Sequence, residues 1–233
     1  MKTYRHLAIT STLFLSLWTG HISLNQAQNQ NQKPKFMTVA ERTSPIIDLE
    51  VLEEQAQSGD VRSQLRLGSM YRNGTAVARN TQRAFYWFLQ AAKSGHVLAQ
   101  LRVAKMFQEG IGVERNNQSA FEWISRAAQS RHVDALTQMG KMFQHGIGTP
   151  TSLTRAFEVF LDAAQQGQTE AQNHVADMFW NGLGTPQDRF QALRWYEASA
   201  HQGNVDAKNT LGILHLQGEG VAKNTERGLE LII

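Results

Sequence analysis

Hydrophobic and polar residues along most of this chain follow a pattern that returns every 36 residues. With Gly59 counted as position 1, five blocks begin at Gly59, Gly95, Arg131, Gly167 and Gly203. In each block a small residue at position 5, an apolar residue at position 9 and Met or Leu at position 12 have the spacing of one helix face. A glycine at position 16 suits the left-handed end of a helix. The pattern predicts a first helix over positions 3–15.

The second half of each block predicts another helix, over positions 23–35. Position 22 holds a residue whose side chain can cap a helix N-terminus, namely Asn80, Asn116, Ser152, Asp188 or Asn224. Alanine recurs at position 26, and tryptophan occupies position 29 in three blocks. Position 10 alternates between Gly and Ala, although Gly inside a helix costs about 1 kcal/mol relative to Ala. We therefore expect a partner helix to approach closely at position 10.

A repeat of this length is typical of a solenoid, in which each helical hairpin buries its apolar face against its neighbours. The sequence predicts an all-α α-solenoid with repeats at 59–94, 95–130, 131–166 and 167–202 and an incomplete one at 203–233. Residues 44–58 align with a second helix and carry a polar outer face. We expect them to form a capping helix, which is a half-repeat at the N-terminal end of the stack.

The third block departs from the pattern at two positions. Arg131 stands where the other blocks have Gly, and Val159 stands where three blocks have Trp. A non-Gly residue in a left-handed turn costs about 1 kcal/mol, and Val fills less space than Trp. We expect the third hairpin to be the weakest joint of the stack. A functional interpretation makes it a hinge, while simple sequence drift explains the same departures.

The N-terminus has the features of a secretory signal. Lys2 and Arg5 precede an apolar run from Leu7 to Trp18, which is too short for the roughly 20 apolar residues of a membrane span. We predict a signal peptide over 1–27 with an uncertain cleavage site, a Gln- and Asn-rich flexible linker over 28–43, and export to the periplasm or the medium of a bacterium. An uncleaved anchor or a chance apolar helix would give a similar run.

Charge and cysteine content narrow the function classes. The formal net charge is +3, and without Lys2 and Arg5 it is +1, since 21 basic residues then face 20 acidic ones. Such a balance gives no electrostatic case for nucleic acid or an anionic membrane. The chain has no Cys, which excludes disulfides, thiolate metal sites and thiol catalysis. No membrane span is expected after signal removal.

The repeat resembles the Sel1-like repeat, a relative of the tetratricopeptide repeat. The fourth block is especially similar to that pattern, through Gly182, Gly184, Asp188, Ala192, Trp195, Tyr196 and Ala200. The resemblance implies a right-handed superhelix that acts as a protein-protein adaptor. Exported bacterial members are associated with envelope assembly, signalling or host interaction. One cysteine-rich branch is linked to β-lactam binding or hydrolysis, which is the alternative function, but this chain lacks that branch's Cys pairs and has no S-x-x-K motif.

The glycine and histidine motifs that could suggest a phosphate or metal site are better interpreted as parts of the helical hairpins. The G-x-G elements recur in every hairpin turn from the second block onward and lack the third Gly and the preceding strand of a phosphate-binding loop. His96 and His132 share position 2 in successive blocks, where a residue at a helix start is a better interpretation than a metal ligand. We predict a non-enzymatic protein with no catalytic residues, metal or cofactor, and a protein or peptide as its partner.

Trp180 is the strongest candidate for a partner-binding residue. At 100° per residue, position 14 lies far from the buried face of the first helix and close to position 11, where Asp177 stands. Ile213 and Leu216 would extend the apolar patch in the next repeat, and Lys141 and Gln144 would line its other side. Because tryptophan is enriched among interface hot spots, we expect this patch to face a bound partner. Alternatively, Trp180 packs against the following hairpin through Ile213 and Leu216.

The fifth block stops at position 31, inside its second helix. Leu229, Leu231, Ile232 and Ile233 are its last apolar residues, and no polar capping helix follows them in this sequence. Self-association or partner docking through this end is one interpretation, since uncovered solenoid ends tend to stack. A truncated reading frame or a fragment would explain the same end.

Overall fold

The computed structural model describes residues 48–232, and every regular element in that part of the chain is an α-helix. The predicted signal peptide (1–27), the predicted linker (28–43) and residues 44–47 of the predicted capping segment lie outside the described residues, as does Ile233. The helices are α1 Leu49–Gln57, α2 Val61–Asn73, α3 Thr81–Lys93, α4 Val97–Glu109, α5 Asn117–Gln129, α6 Val133–His145, α7 Leu153–Gln165, α8 Thr169–Asn181, α9 Arg189–His201, α10 Val205–Gln217 and α11 Thr225–Leu231.

Helix bounds return in the same register in every repeat. The first helices α2, α4, α6, α8 and α10 each cover positions 3–15, and the second helices α3, α5, α7 and α9 each cover positions 23–35. Both predicted ranges are confirmed. In the fifth repeat the second helix, α11, starts at the predicted position and ends at Leu231.

The predicted N-caps of the second helices are confirmed in all five repeats. In each, the side chain of position 22 accepts a hydrogen bond from the backbone N–H three residues later. Asn116 Oδ1, for example, accepts from the Ser119 N–H at 2.9 Å. These bonds satisfy amides that the first helical turn leaves without partners, so they fix where each second helix begins.

Successive helices pack as hairpins, and each hairpin packs on the next. Edge-to-face aromatic pairs join the second helix of one repeat to the first helix of the following repeat. Their ring centroids lie 5.2 Å apart in Phe85–Phe107, 5.3 Å in Phe121–Phe143 and 5.0 Å in Phe157–Phe179. The result is the predicted α-solenoid, with its core between the two helix layers.

The close helix approach expected at position 10 is also confirmed. A Cβ on Gly140 would lie 2.6 Å from the nearest ring carbon of Phe160, and one on Gly68 would lie 2.7 Å from Phe88. In the second repeat position 10 is Ala104. The residue of its second helix that corresponds to Phe88 and Phe160 is Ile124, which has a smaller side chain. In the first and third repeats, glycine at position 10 therefore faces a phenylalanine, whereas in the fifth repeat a Cβ on Gly212 would lie 2.5 Å from Ile232.

The second glycine of each hairpin turn, at position 18, has a steric role that sequence analysis did not identify. A Cβ on Gly148 would lie 1.9 Å from the carbonyl oxygen of Asn117, at the start of the preceding repeat's second helix. Gly112 and Gly184 make the equivalent approach to Thr81 and Leu153, at 2.1 and 2.3 Å. Backbone thus contacts backbone between neighbouring repeats, which leaves no space for a side chain.

Arg131 has the left-handed conformation that the sequence predicts, with φ of 55°. Its guanidinium donates a hydrogen bond to the carboxylate of Asp162 on α7, and this exposed ion pair offsets part of the backbone cost. The left-handed backbone of Arg131 destabilises the third hairpin, and the ion pair with Asp162 stabilises it. That the third hairpin is the weakest joint stays a prediction.

The two ends of the described stack differ. At the N-terminal end α1 packs on α2 through the buried Leu52 and Ala56. At the other end the side chains of Leu229 and Ile232 are 63% and 40% exposed. Self-association through that end stays a prediction.

Candidate interaction surface

The first helices of the five repeats, α2, α4, α6, α8 and α10, form what we call the first-helix layer. The six predicted partner-binding residues lie in two rows along this layer. Position 11 contributes Lys141, Asp177 and Ile213, and position 14 contributes Gln144, Trp180 and Leu216. Side chains connect neighbouring helices of this layer. Arg102 on α4 donates to Ser69 Oγ on α2 at 3.5 Å, and Lys141 Nζ on α6 lies 2.5 Å from Glu170 Oε1 on α8.

A groove of about 460 Å³ lies between α4 and α6 within the first-helix layer. The half-buried Leu101 and Ile147 supply apolar surface. The polar and charged lining of the groove consists of Arg102, Lys105, Gln108, Glu109, Gln138 and Lys141. Of the six predicted residues, Lys141 lines this groove. Its charges and exposed apolar atoms could contact an extended segment of another chain.

Asp177 is engaged within its own repeat. Tyr196 on α9 donates a hydrogen bond to Asp177 Oδ1 at 2.6 Å. Burial raises the pKa of the Asp177 carboxyl, and the bond from Tyr196 opposes this shift. Burial and the same bond raise the pKa of Tyr196. The pair ties α8 to α9, so a first function of Asp177 is structural.

Trp180 lies half-buried at the seam between the fourth and fifth repeats. The Arg189 guanidinium stands 4.9 Å from the centre of its ring, and Arg189 also pairs with Glu219 in the fifth repeat's turn at 3.2 Å. The nearest atoms to a Cβ built on Gly220 belong to the Trp180 indole, at 3.1 Å. The helical wheel places Trp180 away from the buried face of its own helix and does not anticipate these contacts. Trp180 contacts the following hairpin at Gly220.

The remaining predicted residues do not form one patch with Trp180. Ile213 is 46% exposed on α10. Leu216 is half-buried and packs on Gly228 of α11, inside its own hairpin, where a Cβ on Gly228 would lie 2.7 Å from Leu216 Cγ. Gln144 is half-buried, and its Oε1 has no hydrogen-bond partner among the described residues. Whether any of the six contacts a partner stays a prediction.

The two histidines at position 2 serve as helix N-caps. His96 Nδ1 accepts from the Ala99 N–H at 3.2 Å, while His132 caps α6 without a side-chain bond. Within residues 48–232, no group of three or more His, Cys, Asp or Glu side chains could hold a metal ion. The helices of the same part of the chain are all too short and too polar to cross a membrane.

Sequence analysis did not identify Arg72 and Arg102 as site residues. They occupy positions 14 and 8 of successive repeats, and the charge of Arg72 acts on Arg102 across the gap between α2 and α4. Arg102 donates to Ser69 on α2, and Ser69 lies three residues before Arg72 on the same helix, so the two arginines belong to neighbouring parts of α2 and α4. A search of the two helices for basic residues, in place of apolar residues, would have found them.

Comparison with known proteins places these features in a family. The Sel1 repeat profile matches residues 61–96, 97–132, 133–168, 169–204 and 205–232. Comparison with curated proteins gives no significant match. Among solved structures, the chain is similar to a protective antigen of uropathogenic Escherichia coli with an SLR fold, at 30% identity and a TM-score of 0.74 over 79% of this chain and 40% of that one. It therefore spans two fifths of the antigen's chain.

A Sel1 repeat protein from Oxalobacter formigenes is similar as well, at 30% identity and a TM-score of 0.66, over 78% of this chain and 73% of that one. The profile covers five consecutive repeats, from residue 61 to residue 232. The repeats share the helix bounds, the N-caps and the glycine turns described above. This chain belongs to the Sel1 repeat family.

Proposed function

We propose that this chain is a non-catalytic scaffold that binds a protein or peptide partner on its first-helix layer. Sel1 repeats generally serve as protein-interaction scaffolds and are typically not enzymes. The observation that carries the proposal is the groove between α4 and α6, where charged and apolar groups line about 460 Å³ of open space.

The contrast between buried and exposed rows supports this function. Positions 5 and 12 of the first helices hold nearly the same residue in every repeat, whereas position 11 holds Ser69, Lys105, Lys141, Asp177 and Ile213. The buried rows build the scaffold, and the varied row gives each repeat its own surface chemistry. A surface of this kind can recognise one partner over a long distance along the stack.

The proposed surface includes Lys141, which lines the groove, and Ile213, which is exposed in the same row. Asp177 and Gln144 border it. Trp180 and Leu216 support it from within the hairpins, since both are half-buried against second-helix or turn residues. Alanine substitution of Lys141 should therefore weaken partner binding without unfolding the chain.

Site-specific photo-crosslinking tests the location of the surface. A photoreactive phenylalanine analogue at Lys105, exposed on α4, should crosslink the partner in native cells. The matched control is the same analogue at Glu122, exposed on α5 of the same repeat. A specific adduct at 105 and none at 122 supports the proposal, whereas adducts at 122 alone, or at neither residue, contradict it.

The alternative of a β-lactam-binding or hydrolysing enzyme has a direct test. Incubation with a fluorescent penicillin, followed by denaturing electrophoresis, detects a covalent acyl-enzyme, and a chromogenic cephalosporin detects turnover. We expect neither signal, because the chain has no Cys and no S-x-x-K motif. Stoichiometric labelling would replace the scaffold proposal with an enzymatic one.

We also propose that the protein is exported to the periplasm or the medium. The support is the sequence of residues 1–27, with Lys2 and Arg5 ahead of the apolar run from Leu7 to Trp18. Mass spectrometry of the N-terminus after cell fractionation tests this. A shortened N-terminus in the periplasmic or secreted fraction is expected, and an intact Met1 in the cytosolic fraction contradicts export.

A further inference from the structure

Two exposed arginines, Arg72 on α2 and Arg102 on α4, lie on neighbouring helices of the first-helix layer. Arg102 lies with its guanidinium 5.1 Å from the centre of the Phe88 ring and donates to Ser69 Oγ at 3.5 Å, so its position is fixed from two sides. Burial lowers the pKa of Arg102, and the positive charge of Arg72 lowers it further. Two like charges on neighbouring helices would be stabilised by a bound anion.

Neighbouring groups do not neutralise these arginines. Among the ion pairs of residues 48–232, none involves Arg66, Arg72 or Arg102. Lys105 pairs only with the exposed Glu109, at 3.7 Å, which is a weak interaction in water. All three arginines have exposed side chains. The basic surface of α2 and α4 is therefore available to a partner.

Charge changes sign along the layer. Helix α2 carries Arg62, Arg66 and Arg72 and no acidic residue, so its net charge is +3. Helix α4 has a net charge of +1 and helix α6 a net charge of 0, because Asp134 balances Lys141. Helix α8, with Glu170 and Asp177, has a net charge of −2. Helix α10, with Asp206 and Lys208, has a net charge of 0. A partner that lies across the layer therefore meets a basic end at α2 and an acidic helix at α8.

We propose that the first-helix layer binds an acidic peptide segment, whose carboxylates contact Arg72 and Arg102 while an apolar side chain enters the α4–α6 groove over Leu101 and Ile147. Carboxylates match the forked guanidinium donors in geometry as well as in charge. Because the groove also has half-buried apolar groups, a ligand with both acidic and apolar side chains fits it better than a purely ionic ligand. This inference rests on the proposed scaffold function and names the chemistry of its partner.

The same charges disfavour nucleic acid and a membrane surface. A long polyanion that follows the layer past α4 would meet Asp134 on α6 and Glu170 on α8, which repel phosphates. A flat anionic membrane needs basic residues spread over one plane, whereas the arginines of the first-helix layer lie only on α2 and α4. A short acidic peptide can place its charges on α2 and α4 and end before the acidic helices.

Fluorescence anisotropy with defined peptides tests the proposal. The probe is a fluorescein-labelled peptide of alternating Glu and Leu, compared with peptides of Gln and Leu and of Lys and Leu of the same length. We expect the Glu-containing peptide to bind the full chain most tightly and to lose affinity as salt is raised. Equal binding of all three peptides, or no binding of the Glu-containing one, overturns the proposal.

Charge reversal locates the site. The variant Arg72→Glu/Arg102→Glu should bind the Glu-containing peptide about tenfold or more weakly. The matched control is Arg79→Glu/Arg115→Glu, which changes the net charge equally in the same two repeats but at position 21, in the hairpin turns. Equal losses in both variants would show a general charge effect and overturn the assignment. Arg72→Glu alone, which leaves the Arg102–Phe88 contact intact, provides a second reading if the double variant unfolds.

Further probes separate this inference from the scaffold function. A single-stranded oligonucleotide and anionic lipid vesicles are tested as competing ligands. If either binds the chain more tightly than the Glu-containing peptide does, and loses affinity in the Arg72→Glu/Arg102→Glu variant, the peptide assignment is overturned. If the double variant still gives the Lys105 photo-adduct in cells with unchanged yield, the acidic-segment inference fails and the scaffold function stands. If the unsubstituted chain gives no adduct at 105, the scaffold function itself fails.

Discussion

Each repeat has two turns that contain left-handed backbone, yet they differ in their tolerance of side chains. In the hairpin turns of the second, third and fourth repeats, a Cβ at position 18 would lie 1.9 to 2.3 Å from a carbonyl oxygen of the preceding repeat, as at Gly148. In the turn between repeats, a Cβ at position 1 would meet nothing within 4 Å, as at Gly95. The first turn excludes a side chain by contact, and the second only disfavours it through backbone conformation.

The chain's own exceptions agree with this difference. Arg131 replaces glycine in a turn between repeats, where space is open. Ala76 replaces glycine at position 18 of the first repeat and has φ of 63°. The helix that precedes this repeat is α1, which begins at Leu49, four residues later than the register of the other second helices. A positive φ alone therefore does not show how costly a substitution is, because the neighbouring repeat decides it.

The largest expected effect comes from Gly148→Ala. Its Cβ would overlap the Asn117 carbonyl, so the two repeats must separate, and we expect a loss of about 3 kcal/mol from overpacking and the left-handed backbone together. The control Gly95→Ala has the same backbone strain without the contact and should lose about 1 kcal/mol. Urea unfolding followed by circular dichroism measures both, and equal losses would contradict the contact argument.

Trp180→Ala tests the last junction, where an indole replaces the backbone contact. Because Trp180 is half-buried beneath Arg189 and Gly220, we expect a loss of about 2 kcal/mol, less than for a fully buried Trp. Amide exchange should become faster in α10. Trp180→Phe keeps a ring at the site and should lose less. An unchanged melting curve together with a lost photo-adduct would instead show that Trp180 contacts the partner.

Arg131→Gly should have a smaller effect, in the opposite direction. Glycine removes a left-handed cost of about 1 kcal/mol, and loss of the exposed pair with Asp162 returns part of it, so a gain of about 0.5 kcal/mol is expected. Asp162→Asn removes the pair alone and is the control. Native-state amide exchange should be fastest in residues 131–166 of the unsubstituted chain, and uniform protection would contradict the weak joint.

Asp177→Asn should change stability least, by about 0.5 kcal/mol or less at neutral pH, because the amide oxygen can still accept from Tyr196. Its signature is a changed pH dependence. The folded-state pKa of Asp177 is raised, so the unsubstituted chain gains stability from this group as pH falls through that pKa towards the ordinary value of about 3.9. The Asn variant should lack this gain, and identical pH profiles would contradict the raised pKa.

Patterns within one repeat were sufficient to predict the helices, whereas the surroundings of exposed side chains depend on contacts between repeats that the sequence does not show. Helix bounds and N-caps follow from residues within one repeat, such as Asn116 and Ser119, so periodicity was sufficient for them. The contacts of Trp180 with Arg189 and Gly220 were not predicted, because a helical wheel contains neither the next helix nor the next repeat. Lys141 lines the groove between α4 and α6, a position that depends on the neighbouring repeat and was not predicted.

The contact between Gly148 and the Asn117 carbonyl has a consequence for how such a protein can diverge by duplication. It joins two repeats through main-chain atoms, so its geometry does not depend on which side chains surround it. A gene that gains or loses a unit of 36 codons within the array keeps the same joint on both sides of the change. The length of the array and the chemistry of its exposed rows can then vary independently, because neither needs compensating substitutions at the joint.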